Sequence, residues 1–353
     1  MSEDEGITET FDIEMVSKEK SSAPSLSAFN YTITGGLALI VAISFAALIH
    51  YLPLATTCYS KPYNSTDLAT IQTLSNGDKV YHIAVVTDLD NDSKDSKKKN
   101  TWFSYFKIGE LTLTKDLKKA TIVWEDEKTK VLTSQIAAGG RSMELSDLKV
   151  FDGHLLTVDD RTGIIYRLEN NFKDAVPWVL LNDGPGNITK GLKAEWMTVK
   201  NNVLVVGGLG KEWTTTDGVF QNYHPMYVKY VNHLGEVEHI NWVDNYKKLR
   251  RSIGIEWPGY MIHESGQWSE IHNKWFFMPR RASKEGYTEA TDEFAGTDLL
   301  LIANEDFSHV QVKHVGDRGN GAKGYSAFQF IPGSHDDLIV ALKSEEKEGI
   351  PVA

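Results

Sequence analysis

Ser146, Glu195, Glu264 and Ser326 occupy matching places in four stretches of the chain: SDLKVFDGHLLTVDD, EWMTVKNNVLVVGG, ESGQWSEIHNKWFFMPR and SAFQFIPGSHDDLIVALK, each beginning at the residue named. In each stretch an acid or serine opens a short strand, a polar turn follows, and a second apolar strand completes the pair. Two carboxylates and two hydroxyl-bearing residues brought to one point make a hard, all-oxygen donor set. Such a set suits Ca²⁺, which takes about 6–8 oxygens at roughly 2.3–2.6 Å. Zinc and copper prefer nitrogen and sulfur. Any one of these acids, taken singly, reads better as a turn cap. Their recurrence at one place in each unit is what points to a shared centre.

Elements of a particular kind must bring them together. The four stretches recur at intervals of roughly 50–70 residues, and short-strand units of that length predict propeller blades. A propeller sets equivalent positions of every blade around one axis. Tyr81–Asp90 (YHIAVVTDLD) resembles the second strand of an earlier unit. Only Val243–Ile253 shows helical periodicity, so the alternating long helices of a parallel α/β sheet are missing. About 280 residues at this period give about five blades. The expected class is therefore all-β, a five-bladed β-propeller over residues 77–353.

Composition narrows the partners. The chain has 353 residues, with 37 Lys and Arg against 48 Asp and Glu, a net charge of −11. That balance argues against nucleic acid, whose phosphates need Lys and Arg to neutralise them. A single cysteine, Cys58, excludes an intrachain disulfide and a thiolate zinc cluster. It reads either as a free thiol or as an intermolecular disulfide joining two stems into a homodimer.

Residues 1–20 carry seven acids and two lysines, a composition that cannot bury enough apolar surface to order a chain. Residues 1–32 are thus expected to be a disordered tail. Ile33 to Leu52 is uncharged and 20 residues long, enough to span about 30 Å of hydrocarbon as a helix. It begins too far from the N-terminus, and behind too acidic a tail, for a cleaved signal peptide. A single-pass signal anchor over 33–52 and a stem over 53–76 are expected. Lys18 and Lys20 before the span weakly favour a cytosolic N-terminus. The sequons Asn64-Ser-Thr, Asn91-Asp-Ser and Asn187-Ile-Thr after it fit a lumenal body. Asn30-Tyr-Thr, before the span, is expected to go unused.

A set of phrases then stands in one order along the chain: Trp102-Phe-Ser-Tyr, Met143-Glu-Leu-Ser-Asp-Leu, Val158-Asp-Asp-Arg-Thr-Gly, Lys193-Ala-Glu-Trp, Gly207-Gly-Leu-Gly-Lys-Glu-Trp-Thr-Thr, Pro258-Gly-Tyr-Met-Ile-His-Glu-Ser, Trp275-Phe-Phe-Met-Pro-Arg-Arg-Ala-Ser and Ala341-Leu-Lys-Ser-Glu-Glu. From about residue 78 onward the chain closely resembles the calcium-activated nucleotidase, or calcium-dependent apyrase, family. Its start resembles the membrane-anchored vertebrate type found in the endoplasmic reticulum and Golgi. The resemblance implies a five-bladed propeller with a central Ca²⁺ that hydrolyses nucleoside diphosphates, UDP and GDP especially, to monophosphate and phosphate. It places calcium ligands on Ser146, Glu195, Glu264 and Ser326, the four the repeat had already picked. A further family ligand, the glutamate of a C-terminal Tyr-Glu-Gly-Ile-Glu stretch, has no counterpart before Ala353, so the last blade is expected to be incomplete.

Under that resemblance an acid must position and deprotonate a water. Asp88 and Asp90 end an apolar strand one residue apart and are expected to point to opposite faces. The family pattern favours Asp88. Asp147 and Asp160 are further candidates, although Asp159–Gly163 reads equally as a tight turn between strands. Phosphate oxygens call for fixed cations: Arg280 and Arg281, whose planar forks match phosphate, then Arg161 and Lys211. Surface salt bridges are the competing reading for the arginines. Trp213 or Trp196 could stack on a base, against a core role for either. Gly207-Gly-Leu-Gly-Lys lacks the spacer and the Ser/Thr of a P-loop. His263 is expected to be a structural donor, and the Lys94–Lys99 run a solvated loop. A membrane-tethered, non-catalytic calcium propeller and a paired-carboxylate glycosidase remain as other readings.

Overall fold

Paired left-handed residues close the hairpins that the repeats announced. Asp152 and Gly153 have φ of 49° and 72°, and Asn201 and Asn202 have φ of 51° and 60°. Those values match the two-residue turn whose twist suits two antiparallel strands, and Asn, Asp and Gly tolerate it best. In the computed structural model, which describes residues 8–11, 61–347 and 350–352, these hairpins begin antiparallel sheets that follow one another along the chain.

The first sheet runs Thr8–Phe11, Ala120–Trp124, Trp102–Leu113, Lys79–Val86, Ile71–Thr73, with Lys130–Ser134 paired to the start of Trp102–Leu113. The second, third and fourth have four strands each and start at Leu145–Phe151, Ala194–Lys200 and Gly266–Ser269. A three-stranded sheet, Lys323–Phe330, Ile339–Lys347 and Ile350–Val352, follows. The arrangement is all-β and propeller-like, as expected. Among the described residues the helices are short, Val243–Arg251 and Glu289–Asp292. The first agrees with the one helical period in the sequence, and it buries Tyr246, Leu249 and Arg250 along one stripe.

The apolar faces pack between sheets. Phe106, Leu132, Leu145 and Tyr166 join the first sheet to the second, and Val158, Ile165, Met197 and Leu204 join the second to the third. Trp196, Trp242, Trp275 and Phe277 fill the space between the third and the fourth. Phe276, Leu300 and Phe328 link the fourth to the last, and Tyr81, Leu111, Ile331 and Leu338 link the last back to the first. Trp196 is therefore a core residue, the alternative the sequence had left open. Gly207 lets its indole lie flat on the strand, because a Cβ there would meet the ring at 2.1 Å. Gly207→Ala is expected to cost about 1–3 kcal/mol through overpacking, read as a lowered urea midpoint.

The predicted membrane span at 33–52, Asn30 and Cys58 lie outside the described residues. Among the described residues no helix is long and apolar enough to cross a membrane. Asn64, Asn91 and Asn187 are all exposed.

Candidate functional site

Three of the four repeated positions are β-bulges. Leu145 pairs with Asp159 and Asp147 with Val158, leaving Ser146 unpaired between them. In the same way Ala194 and Trp196 flank an unpaired Glu195, and Tyr325 and Ala327 flank Ser326. A bulge inserts one residue into a ladder, bends the strand and re-aims a side chain. Glu264 needs no bulge, because it lies in the link just ahead of the strand Gly266–Ser269. All four line one cavity of about 1180 Å³.

Two of these oxygens, Ser146 Oγ and Glu195 Oε1, lack a hydrogen-bond partner among the described residues. Ser146 Oγ is buried without a hydrogen bond. Glu195, 4% exposed, has Oε1 3.0 Å from Lys193 Nζ but outside hydrogen-bonding geometry. Burial chiefly pushes the Glu195 carboxyl up to about 8; Lys193 opposes the shift, while the charges of Glu264 and Asp160 reinforce it. Ser326 Oγ is 3.5 Å from the carbonyl of Leu342. Glu264 is held by Arg280. Hydroxyl and carboxylate oxygens lining one cavity, two of them without a hydrogen-bond donor, fit a hard cation.

Beside these lies a carboxylate cluster the sequence had only half shown. Asp88, Asp90 and Glu144 bring ligand atoms within 4.8 Å of one another. Asp88 and Asp90 both line the cavity, contrary to the expected opposite faces. The strand stops at Val86, and Asp90 turns to φ 47° while its N–H donates to Asp88 Oδ1 at 2.9 Å. The alternation rule therefore no longer applies. Burial, then the charges of Asp160 and Asp90, holds the Asp88 carboxyl well above its usual range. Arg141 bridges the cluster, donating to Glu144 Oε1 and Oε2 at 2.6 Å each and to Asp90 Oδ1 at 2.6 Å. Glu144 is pushed up to about 7, mainly by burial. Arg141, Glu144 and Lys193 were not singled out from the sequence. Glu144 and Lys193 stand inside the phrases Met143-Glu-Leu-Ser-Asp-Leu and Lys193-Ala-Glu-Trp, and Arg141 lies five residues before Ser146.

The other candidates separate by location. Asp147 lines the cavity but accepts from Leu148 N and Met197 N at 2.7 Å each, which ties the second sheet to the third. Asp160 is 3% exposed, pairs with Lys193 through Oδ2 and leaves Oδ1 unpartnered. Its neighbour Asp159 organises the expected turn, accepting from Met143 N, Arg161 N and Thr162 Oγ1. Arg161 stands 3.7 Å from Glu144.

Lys211 is 5% exposed, donates to the Glu212 carbonyl at 3.1 Å and lies 4.2 Å from the Tyr287 ring centre. Burial lowers its ammonium to about 8, against the pull of Asp292 and Glu212. Trp213 lines the cavity with Lys190 over its ring at 3.9 Å. Arg280 also faces the cavity. Arg281 lines the cavity too, although it is only 3% exposed, and it donates to the Ala322 carbonyl at 2.9 Å. His263 corrects an expectation: it is fully buried against Tyr246 and Phe277, and neither ring nitrogen donates to a protein group.

Fold and site together define an all-β, propeller-like protein with a cavity lined both by carboxylate and hydroxyl oxygens and by the cations Lys193, Lys211 and Arg280. A model of the family described as Apyrase matches residues 89–352, and the chain belongs to that family. It is 54% identical over 290 residues to "Apyrase apy-1" of Caenorhabditis elegans, covering 82% of this chain and 80% of that one. It is 53% identical over 269 residues to "Soluble calcium-activated nucleotidase 1" of Rattus norvegicus, covering 76% of this chain and 66% of that one. With "Apyrase" of Cimex lectularius it shares 41% over 268 residues, 76% of this chain and 73% of that one.

Proposed function

We propose that this chain is a Ca²⁺-dependent nucleoside diphosphatase, a five-bladed propeller that hydrolyses UDP and GDP, and other nucleoside di- and triphosphates more weakly, to monophosphate and phosphate. The observation that carries the reading is the repeated bulge, which directs Ser146, Glu195 and Ser326 with Glu264 into one cavity beside Lys211 and Arg280. Those four residues would hold the ion. When bound, Ca²⁺ supplies positive charge that offsets the acids and polarises phosphate oxygens.

The chain's own groups do the rest. Lys211 and Arg280 bind phosphate oxygens, with Arg161 at the margin. Arg281 fixes the wall behind them. Trp213 offers its ring to the base. Asp88 orients a water and takes its proton, supported by Asp160 through their shared neighbour Lys193; Asp147 holds the strand that carries Ser146. Exposed sequons and the apolar run at 33–52 support a type II protein of the endoplasmic reticulum or Golgi, with its body in the lumen, where it would remove the UDP left by sugar transfer; in that topology Thr8–Phe11, paired here with Ala120–Trp124, would leave the sheet for the cytosolic side. Cys58 would join two such chains.

Phosphate release from UDP, GDP, ADP and ATP, measured with Ca²⁺, Mg²⁺ or chelator, tests the reading. Release is expected with Ca²⁺ alone, and Asp88→Asn is expected to lower it by about 10²–10⁴-fold. Equal release in chelator removes the metal from the reaction, and none under any condition leaves a non-catalytic calcium propeller. A pH profile examines Lys211 separately. Its ammonium loses its proton as pH rises past about 8, so kcat/KM is expected to fall above that pH. Lys211→Arg, charged throughout, should abolish that limb.

A further inference from the structure

Three residues beyond each position of the first ring stands a second ring: Lys149, Thr198, Gln267 and Gln329, all lining the same cavity. Along a regular strand residues i and i+2 share a face. The extra residue at the three bulges makes that i and i+3, and Glu264, in the link ahead of its strand, stands the same three residues before Gln267, so the second tier sits one step farther along the channel. Its oxygens turn inward. Gln267 Nε2 donates to the carbonyls of Phe328 at 3.3 Å and Met197 at 3.4 Å, and Gln329 Nε2 to that of Leu148 at 3.5 Å. Both amide oxygens therefore face Lys149, whose Nζ donates to Gln267 Oε1 at 2.7 Å and Gln329 Oε1 at 2.8 Å. Thr198 Oγ1 lies 3.3 Å from Gln267 Oε1. The Asp147 carboxylate, then Asp336 and Asp67, attract the same ammonium against the cost of its burial.

We propose that Lys149 is a resident cation, occupying a second hard-oxygen site in the channel and so limiting the protein to one divalent ion. The two amide oxygens bonded to its Nζ, with the Thr198 hydroxyl against one of them and the Asp147 carboxylate acting on it through charge, are of the donor types Ca²⁺ takes. A fixed ammonium there closes the channel beneath the first ring and prevents a second ion from drawing phosphate below the reacting position. This rests on the proposed Ca²⁺ site at Ser146, Glu195, Glu264 and Ser326.

Equilibrium dialysis of the full chain against Ca²⁺ alone, without nucleotide, tests it. Wild type and Lys149→Arg are expected to saturate at one ion per chain, and Lys149→Met at two. Adding Gln267→Leu to Lys149→Met should return the count to one. Two ions in wild type, or one in both wild type and Lys149→Met, would overturn the proposal. So would a Lys149→Met chain that stays unfolded, by circular dichroism, at saturating Ca²⁺. No ion in wild type but one in Lys149→Met would instead sink the first-ring reading and leave the second-tier site standing.

Discussion

Glu195→Gln is expected to lower Ca²⁺-dependent phosphate release by at least about a hundredfold, since even outer-shell partners of a metal cost 10–100-fold when removed. The substitution keeps the shape and removes the charge. Glu195 Oε1 has no protein hydrogen bond, so little of the surrounding structure depends on it. Lys193 keeps Asp160 as a partner, which limits the disturbance. The neutral amide also relieves a carboxyl raised by burial and by the charge of Glu264. Melting temperature without Ca²⁺ should therefore hold or rise, while the increase that Ca²⁺ brings should shrink. Calorimetry of ion binding, alongside the phosphate assay, checks both. Unchanged Ca²⁺ affinity with the variant folded would remove Glu195 from the ion site.

Arg250→Met is expected to cost about 3–5 kcal/mol of stability, because it leaves a buried carboxylate without its partner. Arg250, on the helix Val243–Arg251, donates to Glu212 Oε2 at 2.6 Å and Oε1 at 2.9 Å, and each side chain is 3% exposed. A domain has only about 5–15 kcal/mol in all, so the loss is large. Glu212→Gln combined with Arg250→Met should recover most of it, since the stranded charge and not the missing attraction is the main cost. The effect reaches the site through the next residue, because the Glu212 carbonyl holds Lys211 Nζ. KM should rise in the single variant more than in the double. Urea denaturation of the three chains, with KM measured alongside, decides it; equal destabilisation of single and double would refute the account.

Strand pairs, their polar turns and the one amphipathic helix were legible in the sequence because they follow from periods of two and 3.6 and from residues that tolerate left-handed turns. Glu195 and Glu264 stood out for a different reason: the same place in successive units must fall around a common axis. Asp90 misled because alternation holds only while a strand continues, and this one stops at Val86. Arg280 and Arg281 are neighbours in sequence and both line the cavity, yet Arg280 pairs with Glu264 and Arg281 donates to the Ala322 carbonyl. Nothing local distinguishes them.

By itself, then, the sequence determined that short strands recur, that their leading oxygens are hard donors, and that the balance of charge is acidic. Tertiary structure alone decided which oxygens lose their partners, that Glu144 and Arg141 join Asp88 and Asp90, and that Lys149 sits among three inner strands. Local pattern reflects the conformational preferences of a few adjacent residues. Burial, unpaired charge and convergence arise only between strands far apart in the chain, where sheet packing and one inserted residue fix the aim of each side chain.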